Sequence, residues 1–159
     1  MFTGSSSIAL WSSLTTDMKP LVVLNRGFGG SQISDVNRYA GRIVIPYRPC
    51  AVVLYAGDND QTSSVFKSPE TVAEDFRKFV TLIHSQIPDT WIYFVSIKPS
   101  PSRWTIWPSM QRANKLIAAY ARTQERVEFI DVSSAMLTEN DSLRREFFLL
   151  DDLHLNAQG

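Results

Sequence analysis

The chain has 159 residues, and its 16 Lys and Arg residues balance its 16 Asp and Glu residues. This length predicts a single domain, residues 1–159, with room for a sizeable core. The neutral balance of charge does not favour nucleic acid or an anionic membrane as a partner. No apolar run approaches the ~18 residues that cross a bilayer, so no transmembrane segment is predicted.

The single cysteine and the start of the chain say little about the cellular compartment. Cys50 excludes an intramolecular disulfide and is predicted to be a buried apolar filler. No signal peptide is recognised ahead of the fold, which leaves the location open with the cytoplasm as the default.

Apolar runs bounded by Pro or Gly predict five strands, in chain order at residues 2–4, 21–24, 51–55, 91–97 and 127–132. The runs are continuous rather than alternating, which is typical of parallel strands covered on both faces. The first, Phe2-Thr3-Gly4, has the pattern of the last step of a strand, so the first strand looks trimmed.

Helical patterns lie between these strands. A short helix is predicted through Ile8, Leu10 and Trp11, and others at residues 33–42, from Ser68 to Pro88 and from Met110 to Tyr120. Ser68-Pro69-Glu70 is a helix start, with a cap hydroxyl, Pro at the first helical position and an acid in the first turn. The alternation of strand and helix predicts an α/β three-layer domain with a mostly parallel sheet. Residues 156–159 are interpreted as the first turn of a last helix that is cut off.

Polar motifs follow the predicted strands, and ligands of open α/β sheets sit outside the carboxyl ends of the strands. Ser6, in Gly4-Ser5-Ser6-Ser7, is a candidate nucleophile whose backbone N–H also points toward a developing oxyanion. The alternative is that these serines only cap the helix that follows.

Two further motifs offer uncharged hydrogen-bond donors. Gly27-Phe28-Gly29-Gly30 lacks the spacing of a dinucleotide fingerprint, and it predicts either a backbone N–H aimed at an anion or a plain tight turn. Asn59, in Gly57-Asp58-Asn59-Asp60, can donate to an oxyanion through its amide, or it can form an Asx turn.

His154 is the candidate general base. Asp151 precedes it by three residues, a spacing that lets the carboxylate reach Nδ1–H while Nε2 faces a nucleophile. The other histidine, His84, is assigned to a helix as a surface or packing residue. Two separated histidines and one cysteine do not make the usual zinc ligand set, so no metal is predicted.

These four motifs, in this order, resemble the conserved blocks of the GDSL-type, or SGNH, hydrolases over nearly the whole chain. The resemblance implies a flavodoxin-like α/β/α sandwich with five parallel strands and hydrolysis of esters or thioesters, without a cofactor. It implies a triad of Ser6, Asp151 and His154. The implied oxyanion donors are the Ser6 and Gly30 backbones and the Asn59 side chain.

One position departs from that family. Ser5 stands where the family usually has Asp, a residue that supports the turn by hydrogen bonds, and Ser5 is expected to make some of these. Residues 96–104 look like a subgroup that carries the same Gly-Ser-Ser variant.

Substrate choice is less constrained. Arg103, Trp104 and Trp107 follow the fourth strand and are candidates to bind the substrate, although the two tryptophans could instead pack a long loop. Small soluble esters, short acyl or acetyl esters on a carbohydrate among them, are expected. The alternatives are an O-acyltransferase with the same triad and a catalytically inactive module that binds carbohydrate or lipid. The oligomeric state is left open.

Overall fold

A sheet of five parallel strands forms the centre of the computed structural model, which describes residues 1–62, 64 and 66–159. The strands lie in the order β2-β1-β3-β4-β5. Their bounds are β1 Phe2–Gly4, β2 Asn25–Gly27, β3 Ala51–Tyr55, β4 Trp91–Val95 and β5 Val127–Ile130. The five-stranded parallel α/β fold expected from the sequence is confirmed.

Helices connect the strands. Their bounds are α1 Ser6–Ala9, α2 Leu14–Asp17, α3 Ile33–Ile43, α4 Pro69–Gln86 and α5 Trp107–Ala121, with 3₁₀ turns at Ile45–Tyr47, Pro101–Ile106, Ser134–Met136 and Arg145–Phe147. The Ser68 hydroxyl accepts the N–H of Thr71 at 3.2 Å, so α4 begins at the cap that the sequence predicted. None of the helices within the described residues is long and apolar enough to cross a membrane.

Two apolar clusters cover the two faces of the sheet. Helices α3, α4 and α5 pack over the main core, into which Val52 and Leu54 of β3 point. The smaller cluster holds Ile8 of α1, Leu14 of α2 and Tyr55 of β3. Successive residues of β3 therefore alternate between two buried faces, which explains why the strand is apolar throughout.

The second strand does not lie where the sequence placed it. The apolar run at residues 21–24 is outside the sheet, and Val22 is 99% exposed. Strand β2 begins at Asn25 because its neighbour β1 pairs with it only from Phe2 onward. Strands β4 and β5 also end two residues earlier than expected, at Val95 and Ile130.

Cys50 is exposed, which corrects its assignment as a buried filler. It lies just before β3, and the first fully buried residue of that strand is Val52.

The first strand has the predicted bounds, whereas the last residues differ from the prediction. Strand β1 is present as three residues, bonded to β2 on one side and to β3 on the other. Residues 156–159 do not form a helical turn. The Asn156 side chain nevertheless accepts the N–H groups of Gln158 and Gly159, bonds that a helix cap would accept.

Candidate active site

Ser6 is the first residue of α1 and follows strand β1, which ends at Gly4, with only Ser5 between them. The turn that carries it is tight, because a Cβ on Gly4 would lie 1.8 Å from the Tyr55 carbonyl oxygen, and Gly4 has φ +127°. Ser5 N–H donates to the same carbonyl at 2.8 Å, and the Ser5 carbonyl accepts the N–H of Ile8. The turn therefore needs glycine at position 4 and holds Ser6 at the carboxyl edge of the sheet.

Ser6, His154 and Asp151 form a continuous line of hydrogen bonds. The Ser6 Oγ lies 2.7 Å from His154 Nε2, and His154 Nδ1 lies 2.5 Å from Asp151 Oδ2. A carboxylate can only accept, so Nδ1 carries the imidazole proton and Nε2 is free to accept the Ser6 proton. This is the tautomer that a general base for a serine hydroxyl needs.

The Asp151 carboxylate also shapes its own loop. Its second oxygen, Oδ1, accepts the backbone N–H groups of Leu153 and His154 at 3.0 and 2.9 Å. The His154 ring and these N–H groups hold the pKa of Asp151 far below its ordinary value. Asp151 is therefore an anion across the neutral range and keeps the imidazole oriented.

Asn59 has a defined amide orientation. Arg103 Nη2 donates to its Oδ1 at 2.8 Å, and its Nδ2 donates to the Ser31 carbonyl at 3.1 Å. One amide hydrogen remains for a ligand. Within the described part of the chain, no backbone acceptor takes the N–H of Ser6 or of Gly30, whose φ is +72°.

The sequence profile of the GDSL-like Lipase/Acylhydrolase family matches residues 4–159. The chain belongs to this family. It is therefore a carboxylic ester hydrolase, and a serine triad with an oxyanion hole is typical of such enzymes. No curated protein matches the sequence.

Solved structures of similar fold come from several bacteria. A Bacteroides fragilis protein assigned as an acylhydrolase is 22% identical with a TM-score of 0.84, over 99% of this chain and 78% of that one. A GDSL-like lipase of Bacteroides thetaiotaomicron is 22% identical with a TM-score of 0.80, over 99% and 79%. An acetylxylan esterase of Geobacillus stearothermophilus is 15% identical with a TM-score of 0.75, over 99% and 86%. At these identities the likeness shows the fold.

A buried ion cluster lies next to Asn59 in this GDSL-family chain. The carboxylate of Asp60 is fully buried and accepts the Ile33 N–H at 3.3 Å and the Lys67 ammonium at 3.0 Å. Lys67 also donates to Asp75 and to Ser34 Oγ, each at 2.8 Å. Burial raises the pKa of Asp60, against the opposing charge of Lys67. The cluster ties the loop after β3 to the start of α3.

The segment after β4 holds the loop that carries His154. Lys98, which is 2% exposed, donates to the Leu153 carbonyl at 2.7 Å. Ser102 donates to the Asp152 carbonyl through both its N–H and its hydroxyl, at 3.0 and 2.9 Å. Burial lowers the pKa of Lys98 to about 8. Sequence reasoning missed these contacts.

The structure shows the surroundings of four side chains to which the sequence assigned possible roles. Trp107 begins α5 inside the main core at 6% exposure, so it does not line the site. Arg103 already contacts Asp58 and Asn59, while Trp104 is 40% exposed beside it. The Ser5 hydroxyl is buried and has no hydrogen-bond partner among the described residues, so it does not replace the usual Asp by hydrogen bonding. The described residues also hold no group of three or more His, Cys, Asp or Glu that could bind a metal ion.

Proposed function

We propose that this chain hydrolyses small carboxylic esters, with short acyl or acetyl groups, through an acyl-enzyme on Ser6. The observation that carries the proposal is the line of hydrogen bonds from Ser6 Oγ through His154 to Asp151. A serine that only capped a helix would not need an imidazole 2.7 Å away whose other nitrogen is held by a carboxylate.

The first step forms the acyl-enzyme. His154 Nε2 takes the Ser6 proton as Oγ attacks the ester carbonyl carbon. The negative charge that develops on the carbonyl oxygen is met by the N–H groups of Ser6 and Gly30 and by the Asn59 amide, with each donor contributing about 3 kcal/mol. The tetrahedral intermediate then collapses, its C–O bond to the alcohol breaks, and protonated His154 gives the proton to the leaving alcohol.

The second step releases the acid. His154 takes a proton from water as the water oxygen attacks the acyl carbon, and the same donors stabilise the second oxyanion. Ser6 Oγ leaves and recovers its proton from His154. The Asp151 side chain is 47% exposed, so water reaches the loop that carries His154.

Two features support a small and neutral substrate. Arg103 is engaged by Asp58, so it presents no free charge to an acid group. Trp104 is exposed beside it and offers a flat face on which a sugar ring can stack. The likeness to an acetylxylan esterase agrees with an acetyl ester on a carbohydrate.

The test is hydrolysis of p-nitrophenyl acetate, butyrate and octanoate by the wild type, Ser6→Ala and Ser7→Ala. Ser7 is the matched control because it carries the next hydroxyl in the same short helix. We expect Ser6→Ala to lose at least about 10⁴-fold in kcat with unchanged circular dichroism, and Ser7→Ala to keep most activity. A fluorophosphonate probe should label the wild type and not Ser6→Ala. Full activity in Ser6→Ala would remove Ser6 from this role.

A further inference from the structure

We propose that Arg103 is a positioning residue that fixes the Asn59 amide as an oxyanion donor, rather than a residue that binds the substrate. This inference rests on the function proposed above. Arg103 lies in the segment Pro101–Ile106, which follows β4, and is 44 residues from Asn59 in sequence.

The guanidinium contacts two neighbouring residues of the loop after β3. Nη2 donates to Asn59 Oδ1 at 2.8 Å, and Nη1 lies 3.0 Å from Asp58 Oδ2. Asp58 is 4% exposed, and its Oδ1 accepts the Asn59 N–H at 3.1 Å. The Arg103 side chain is 14% exposed, so most of it is committed to these contacts.

These contacts determine which way the Asn59 amide faces. A guanidinium has only donors, so a flipped amide would place its NH₂ group against another donor. The flip would also turn Oδ1 toward the Ser31 carbonyl, where Nδ2 now donates at 3.1 Å. Both neighbours therefore select one orientation, which leaves a single Nδ2 hydrogen directed away from the protein acceptor.

The charge of Arg103 acts on the same amide. A charge-assisted hydrogen bond to Oδ1 draws electron density from the amide and makes its remaining N–H a stronger donor. Asp58 balances that charge within the pair, so no free cation is left to retain the product carboxylate. Arg103 therefore strengthens the Asn59 N–H as a donor without adding a free positive charge that would bind the product carboxylate.

The test is a double-mutant cycle on kcat/KM for p-nitrophenyl acetate, with Arg103→Met, Asn59→Ala and the double variant. We expect Asn59→Ala to lose about 100-fold or more and Arg103→Met about 10- to 100-fold. In the Asn59→Ala background, Arg103→Met should cost less than threefold, because the amide it positions is gone. Arg112→Met is the matched control, since Arg112 pairs with Glu70 at an exposed site.

A second readout separates positioning from substrate or product binding. If Arg103 held the acid, Arg103→Met would weaken inhibition by free acetate, whereas we expect the inhibition constant to stay within twofold. Multiplicative losses in the cycle, or weaker acetate inhibition, would overturn the positioning role. If Arg103→Met does not fold, Arg103→Lys serves in the same cycle, because a lysine keeps the charge but lacks the two-pronged contact.

Fluorophosphonate labelling keeps the two proposals apart. An unlabelled wild type would defeat the proposed function itself. If the wild type is labelled at Ser6 but the losses in kcat/KM from Arg103→Met and Asn59→Ala multiply in the double variant, only the role of Arg103 is defeated.

Discussion

Lys98 provides a sharp test of the electrostatics around the active site. Lys98 is 2% exposed, and its ammonium donates to the carbonyl of Leu153, the neighbour of His154. Burial lowers its pKa from 10.5 to about 8, although the nearby charge of Asp58 opposes this. That difference corresponds to about 3 kcal/mol spent in the folded state at pH 7 to keep Lys98 charged.

The sign of the pH dependence follows from the two pKa values. Below pH 8, Lys98 is protonated in both the folded and the unfolded chain, so its unfavourable contribution is constant. Between pH 8 and 10.5 the unfolded chain binds the proton and the folded chain does not, so the free energy of unfolding rises with pH. From pH 7 to pH 10 we expect the wild type to gain about 2 to 3 kcal/mol relative to Lys98→Met.

The assay is urea unfolding at pH 7, 8, 9 and 10, followed by circular dichroism. Lys98→Arg is the matched control, because arginine stays charged throughout this range. Both replacements remove the titration of Lys98. The free energy of unfolding of the wild type should therefore rise with pH by the same amount relative to either variant, although the two differences at pH 7 are not the same. If the difference in free energy of unfolding between the wild type and the variants does not change with pH, the reasoning is refuted, because Lys98 then keeps its ordinary pKa in the folded protein.

Two other substitutions probe the triad and the buried ion cluster. Asp151→Asn should lower kcat for p-nitrophenyl acetate by about 10³- to 10⁴-fold while the melting temperature changes little, because an amide can impose the wrong imidazole tautomer; a loss below tenfold would argue against Asp151 in the triad. Lys67→Met should reduce the free energy of unfolding in urea by about 3 to 5 kcal/mol at pH 7, because the fully buried Asp60 loses its counter-charge. Unchanged stability of Lys67→Met would mean that Asp60 is neutral in the folded chain.

The sequence predicted elements well where the signal was local. The start of α4 follows from the Ser68 cap and Pro69, and β3 has the predicted bounds. Strand β2 was misplaced because residues 21–24 carry the apolar pattern of a strand, whereas pairing with Phe2 decides where the ladder begins. Strand propensity describes a fit to a pleated surface, and the neighbouring strand supplies that surface.

The candidate triad could also be predicted from local signals, because Asp151 and His154 are three residues apart and Ser6 follows a predicted strand. The contacts that the sequence did not reveal join distant segments. Arg103 and Asn59 are 44 residues apart, and Lys98 and Leu153 are 55 apart. Neither pair has a periodicity or motif that predicts its partner, and each could be found only from the fold.

Both of these distant contacts are made by side chains of one short segment, residues 98–104. Lys98 holds the loop of His154, and five residues later Arg103 holds Asn59. The proposed general base and the proposed oxyanion donor are therefore held by the same segment, so a shift of this segment would misplace both together. Both cations of the segment are bonded to protein oxygens, which supports the proposal of a neutral substrate. Trp104 of this segment is exposed and can stack on a sugar ring, which supports the proposal of a neutral alcohol such as a sugar over an acidic one.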